Sequence, residues 1–465
     1  CGGGGSINFP PPQGTFTNAN LSGPFAFSYT GSDGGGFLSV AGSFVADGAG
    51  HITSGIEDIN SAGGVSPNAT VTGTYLVRAD GRGTITLNSP APNSNSTLDF
   101  VIVAGGHALV TRFDTQATGS GTIDQQTPSA FSNAALAGPF AFTLSGINTG
   151  EVPLAVGGVF TSDGAGNLTT GIDDSNDDGL VVTNDPMTGS IPVASTGRGI
   201  ATINMSLGTL TFAFYVVDAN HLKIVETNAI PALGGEAFRQ TGTFTNASVS
   251  GPFAFTVAGT DLLSLNPFAA GGVLTSDGAG NVTSGVEDLN DATSISTAVP
   301  LTGTYAVAST GRGTLALNTA AGAFSFAIYP SSGGVLSLET DNRFLTTGTA
   351  LQQQTTPFSA GSLQGTYGMN FTGATGGSEL DSISEFTADG VSKLNGIIDI
   401  NNAGGITFGQ SMTGTFVAAS NGRFALSLQT PLGVQNTVMY LVNGNRALFI
   451  EVDGNLVAAG DIRHQ

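Results

Sequence analysis

Four Asp-x-Asn steps recur along the chain, at Asp58-Ile59-Asn60, Asp174-Ser175-Asn176, Asp288-Leu289-Asn290 and Asp399-Ile400-Asn401. Carboxylate and amide oxygens two residues apart are hard ligands, and Ca²⁺ takes several such oxygens at once. In the second copy the pattern runs on to Asp178-Gly179, so Asp174, Asn176 and Asp178 have the opening spacing of a calcium loop. The bidentate glutamate that would close such a loop is missing, and Ala62, Ala292 and Ala403 stand where Asp178 does. Asp and Asn also build turns by bonding their own backbone, so these steps read equally as turn formers. Calcium is the one cofactor the residues suggest.

A Gly-Arg step recurs in the same phase, at Arg82, Arg198, Arg312 and Arg423. An acid follows about two strands later: Glu226, Glu339 and Glu451 in copies two to four, with Asp114 nearby in the first. A planar guanidinium holds a carboxylate through two parallel bonds, so each pair is expected to tie two strands at a barrel end. A ligand carboxylate held by the arginine is the sharper alternative. For catalysis the chain offers less. Its four histidines, His51, His107, His221 and His464, are scattered, and only His107 and His221 occupy comparable places. No G-x-S-x-G, H-E-x-x-H or P-loop pattern occurs. Glu57 and Asp58 are paired acids, but neighbours on a strand point to opposite faces, which does not suit a glycosidase pair. The expectation is a protein that is not an enzyme.

The elements that would carry these residues repeat. "LSGPFAF" begins at Leu21, "LAGPFAF" at Leu136, "VSGPFAF" at Val249 and "LQGTYGMNF" at Leu363, spaced 115, 113 and 114 residues apart. "VADGAGHITSGIEDIN" from Val45 and "TGTYLVRADGRGTITL" from Thr72 recur in phase in the other copies. The period is too long for a solenoid unit, so each copy reads as a domain. The expected divisions are a flexible tether over 1–14, then β-domains over 15–127, 128–241, 242–355 and 356–465. Within a copy the apolar period is two: Phe25, Phe27 and Tyr29 alternate with Ala26 and Ser28. Asp47-Gly48, Asp80-Gly81 and Gly105-Gly106 punctuate the runs as hairpin turns. The first copy reads as eight strands starting near Pro24, Leu38, His51, Val71, Arg82, Thr97, His107 and Gly119. The fold class is all-β: four tandem antiparallel domains, each an up-and-down barrel, with a β-sandwich as alternative. The strand count resembles the lipocalin and streptavidin families, although the tryptophan they place near the first strand is missing here. The joins between copies, such as Gln125 to Phe131, are short enough to hold neighbouring domains in a restricted arrangement.

Composition narrows the partners. Of 465 residues, 70 are Gly and none is Trp, and 33 acids against 12 basic residues give a net charge of −21. That balance argues against nucleic acid, whose phosphates need a basic footprint. The only cysteine is Cys1, so no intrachain disulfide forms. Cys1 is followed by Gly-Gly-Gly-Gly-Ser and then by Pro10, Pro11 and Pro12. This segment resembles the mature start of bacterial lipoproteins, where the cysteine carries the acyl chains and a Gly/Ser tether follows. The resemblance implies lipidation at Cys1, export, and a place at the outer membrane or cell surface, lipid-anchored or extracellular.

The functional expectation is a non-enzymatic surface protein with a structural, assembly or adhesion role, its partners other surface proteins or copies of itself. Tandem copies multiply weak contacts through effective concentration. One alternative is a barrel that holds a small apolar ligand among Phe212, Phe214, Phe324 and Phe326, and another is a carbohydrate-active or carbohydrate-binding surface protein. The fourth copy diverges most, with Gly365-Thr366-Tyr367 for Gly-Pro-Phe and Phe424 for the second Gly of Gly-Arg-Gly. A terminal domain that meets a different neighbour is expected to diverge in this way.

Overall fold

Alternating apolar residues need one face of each strand buried, and closing eight strands on themselves satisfies all of them without leaving sheet edges. In a computed structural model the chain forms four such closed antiparallel barrels in tandem. The structure describes residues 15–89, 95–320 and 322–465; Cys1 and the tether lie outside the described residues.

Barrel 1 consists of β1 Ser22–Asp33, β2 Gly36–Asp47, β3 His51–Ser61, β4 Gly64–Val77, β5 Arg82–Asn88, β6 Ser96–Val103, β7 His107–Phe113 and β8 Ala117–Gln125. Each strand pairs with the next, and β1 also pairs with β8, which closes the wall. Barrels 2, 3 and 4 repeat this order over 138–239, 250–352 and 364–464. In barrel 2 the fourth strand is split into Leu180–Pro186 and Thr188–Ser190. Closure there runs through the pairing of its second and third strands.

The fourth strand is longer than the sequence pattern predicts, starting at Gly64 rather than Val71. Ser66-Pro67-Asn68 has turn composition, yet it lies inside the strand. Asn68 takes a left-handed backbone (φ 57°) opposite a register shift between Glu57 and Ile59. The same irregularity recurs opposite Asn184, Ala298 and Gly409. Asp58, Asp174, Asp288 and Asp399 sit at these four bulges, and each accepts the N–H of its left-handed partner. The extra residue of each bulge is on the fourth strand, where two residues face one aspartate, and the aspartate itself points out of the barrel by ordinary alternation, as Asp58 does beside inward-facing Ile59.

The barrels are filled by their own side chains. Phe25, Phe27, Phe44 and Phe100 pack inside barrel 1, and Phe212, Phe214, Phe324 and Phe326 are core residues of barrels 2 and 3. Interior cavities of about 50 Å³ remain in barrels 2 and 3. A small-molecule pocket is usually several hundred Å³, so these aromatics line a packed core.

The four barrels form a closed ring. The first three strands of each barrel pack against the last three of the next, from 1 to 2, 2 to 3 and 3 to 4. Barrel 4 then turns the same face to the sixth, seventh and eighth strands of barrel 1. A head-to-tail contact either propagates without end or closes when its rotation divides the circle. Four copies close it here, within one chain. The different neighbour that the divergent fourth copy meets is therefore barrel 1.

Candidate functional site at the seams between barrels

Each seam is built on the recurring residues that the sequence marks out. Asp58, fully buried at the edge of barrel 1, accepts Nε and Nη2 of Arg198 from barrel 2 at 2.8 and 2.6 Å. Arg312 of barrel 3 grips Asp174 in the same way, and Arg423 of barrel 4 grips Asp288. Arg82 of barrel 1 donates Nη1 to Asp399 of barrel 4 at 3.1 Å, closing the ring. The paired-strand expectation is thus corrected. Arg198, Arg312 and Arg423 do not bind Glu226, Glu339 and Glu451, nor does Arg82 bind Asp114, which accepts instead from Arg112. The reason is strand parity. Arg198 is in register with Tyr215 on the outer face, whereas Glu226 is in register with Phe212 on the inner one.

The second residue of each Asp-x-Asn step completes the clamp. Asn60 directs its amide nitrogen to the carbonyls of Glu226 and Asn228 in barrel 2, both at 3.0 Å. Asn176 does the same to Glu339, Asp341 and Phe344 of barrel 3, and Asn290 to Glu451, Asp453 and Leu456 of barrel 4. Asn401 returns to Arg112, Asp114 and Ala117 of barrel 1. These contacts overturn the calcium reading of Asp174, Asn176 and Asp178. Both oxygens of Asp174 are taken by Arg312 and by the hydroxyl of Tyr329, Asn176 presents nitrogen rather than oxygen, and Asp178 is exposed beyond the strand.

A tyrosine that sequence reasoning missed lies beside the arginine. Tyr215, Tyr329 and Tyr440 each donate a hydroxyl to the aspartate of the preceding barrel. Their rings press on the second strand of that barrel, where Gly157 and Gly271 leave room that a Cβ would fill. At the fourth seam Val101 replaces the tyrosine and Ile383 replaces the glycine, so volume moves from one side to the other. The recurrence of Tyr in three copies was the available signal. A glutamine at the end of each barrel also crosses over: Gln126, Gln240, Gln353 and Gln465 donate to carbonyls of the barrel that follows in the ring.

A charged cluster between barrels 1 and 2 was also illegible beforehand. Lys223, fully buried, donates to Asp124 of barrel 1 at 2.7 Å and to Glu236 at 3.0 Å. Burial alone would lower its pKa, but the two carboxylates raise it. In turn, Lys223 overcomes the burial of Asp124 and Glu236 and holds both well below the carboxylate range. His107 bonds Asp124, and His221 lies 3.3 Å from Glu236. Asp124, His221 and Glu236 could hold a metal ion by geometry, but the lysine ammonium already occupies the cation position between the two acids. The charges of Asp124 and Glu236 also reach Arg463 of barrel 4, which itself pairs with Asp461. His51 pairs with exposed Asp47 instead, and His464 with the carbonyl of Gln465.

No protein-family model matches the chain, and no curated protein matches it. Among solved structures it is similar to a protein of unknown function from the DUF3598 family of Nostoc punctiforme PCC 73102. That likeness covers 96% of this chain and 97% of the other, at 8% identity and a TM-score of 0.16. A likeness so slight carries no functional argument, which leaves the seams as the ground for one.

Proposed function

We propose that this chain is a non-enzymatic structural protein, a rigid four-barrel ring that serves as a building or adhesion unit outside the cell. One observation carries the reading: the Asp-x-Asn and Gly-Arg residues that recur in all four copies are engaged in holding one barrel to the next. A shared chemistry would leave a shared polar cluster pointing at substrate. The filled barrel interiors add support, since they leave a carried ligand little room. Contacts with other proteins or with further copies then fall to the outer walls, where exposed Thr72, Thr74, Thr302, Thr304, Thr413 and Thr415 repeat in phase on the fourth strands. Export and a lipid on Cys1 belong to the same reading, and dual acylation would make the attachment stable. Native mass spectrometry of protein taken from the producing cells tests it. Ligand-free rings with acyl mass at Cys1, present as larger assemblies or held with surface proteins, are expected. A ligand-loaded monomer with an unmodified thiol would overturn it.

A further inference from the structure

At three of the four seams small or apolar uncharged residues surround the arginine clamp, and the one charged cluster among them, at the first seam, pairs Lys223 with Asp124 and Glu236. At these, the second strand contributes Ser39, Ala41 and Ser43, or Ala155, Gly157 and Val159, or Ala269, Gly271 and Val273. Against them lie Ala213 and Tyr215, Ala327 and Tyr329, and Val438 and Tyr440. The seam that closes the ring is made differently. Barrel 4 places Asp381, Ile383 and Glu385 at the three second-strand positions, and barrel 1 answers with Asp99, Val101 and Val103. Its clamp is also weaker. Arg82 gives one bond to Asp399 and its Nε to Asp80, and no tyrosine hydroxyl supports Asp399.

The charges here do not balance. Asp80 and Asp99 from barrel 1 meet Glu379, Asp381, Glu385 and Asp399 from barrel 4, six carboxyls against the guanidiniums of Arg78 and Arg82. Asp99 accepts Thr84 on one oxygen, while its other oxygen is buried without a hydrogen-bond partner and faces the charge of Asp399. Asp381 is fully buried, accepts the hydroxyls of Thr118 and Ser120 from barrel 1, and is bonded to Glu379, which also reaches Ser32 of barrel 1. Glu385 is buried between the charges of Asp80 and Arg82. Carboxyls crowded at a dry interface can stay there only by keeping protons.

We infer that the seam between barrels 4 and 1 is a proton-dependent latch, closed while its surplus carboxyls are protonated and opened when they ionise, with the other three seams as permanent joints. Desolvation is the first cause of the upward shift in every one of these groups: Asp99 and Asp381 to about 6, Glu385 to about 7 and Glu379 to about 8. A carboxyl whose pKa is raised in the closed state stabilises closure below its ordinary pKa. That contribution falls away from the ordinary carboxyl value up to the raised one, so closure weakens from about pH 4 and is weakest by about pH 8.

The test uses the full chain. Small-angle scattering and hydrogen exchange are followed from about pH 4 to about pH 9, with exchange corrected for its intrinsic pH dependence. The radius of gyration should rise across that range. Protection should fall in 378–402 and 96–125 while the strands at the other seams keep theirs. The variant D99A/D381S/E385S installs the residues that barrels 1 and 2 use at the same positions, and it should stay closed throughout. A radius that does not change with pH overturns the latch. So does opening that persists in the variant, or loss of protection at all four seams together. Should the triple variant fail to fold, D99A alone must narrow the transition in the same direction, and no narrowing counts against the proposal.

Discussion

At the scale of single residues, two buried acids at the first seam, Asp58 and Glu226, have opposite lives. Asp58 sits in a buried pair with Arg198, and removing one partner of such a pair leaves a bare buried charge. Arg198→Ala should therefore destabilise the full chain by about 3 kcal/mol in denaturant unfolding. Glu226, buried against the barrel core with no arginine near, is pushed up to about 8 by desolvation. Below its ordinary pKa it is protonated in both states. Between that value and about 8 only the folded state keeps the proton, so stability drops as pH rises, by at most about 1.4 kcal/mol per pH unit. Glu226→Gln should flatten that slope and cost little near pH 5. Thermal melts of both variants against pH distinguish a clamp from a buried acid, and a steep slope retained by Glu226→Gln would refute the assignment.

At the scale of elements, the second strand of one barrel and the sixth strand of the next behave as a volume-matched pair. A Cβ on Gly271 would lie 2.4 Å from the ring of Tyr440, a distance no relaxed contact allows. Gly271→Ile alone should destabilise the third seam by about 1–3 kcal/mol or more, as overpacking does. Combining it with Tyr440→Val copies the Ile383–Val101 pairing of the fourth seam and should recover much of the loss. A double-mutant cycle measures the coupling, and strictly additive effects would show that the two positions do not pack as a unit. Part of this element was legible beforehand. Period-two alternation placed the strands, and seven of the eight starts in barrel 1 fall within two residues of their expected positions. The fourth did not, because Pro67 and Asn68 have turn chemistry and only the bulge at Asp58 converts it to strand.

At the scale of the whole molecule, closure of the ring covers faces that an open arc would leave bare. Deleting residues 354–465 should uncover Ala254, Ala269, Val273 and Leu351 on barrel 3, and Val101, Val103 and Leu109 on barrel 1. Both bared faces are apolar, so the truncated chain should associate with itself as its concentration rises. Sedimentation velocity over a range of concentrations reads this, with strand content checked by circular dichroism. A folded truncated chain that stays monomeric would mean that the ring is held by its linkers rather than its seams.

What the sequence by itself determined is the unit and its count: a period of two makes strands, three markers in phase make four copies, and glycines set the turns. It also singled out the Asp-x-Asn and Gly-Arg residues as the ones with a job, since they repeat where much else drifts. Their partners were decided only in three dimensions. The four Arg–Asp clamps join residues 135 to 317 positions apart, in different barrels. Local alternation says which residues share a face. It does not say whether that face turns inward or toward another domain, and the bulge on the fourth strand opposite each aspartate supplies a backbone N–H that alternation does not reveal. Ring closure is one step further from the sequence, because it depends on the angle between successive barrels. The seams that hold it pack a tyrosine over a glycine or an alanine, and at the last seam a valine against an isoleucine.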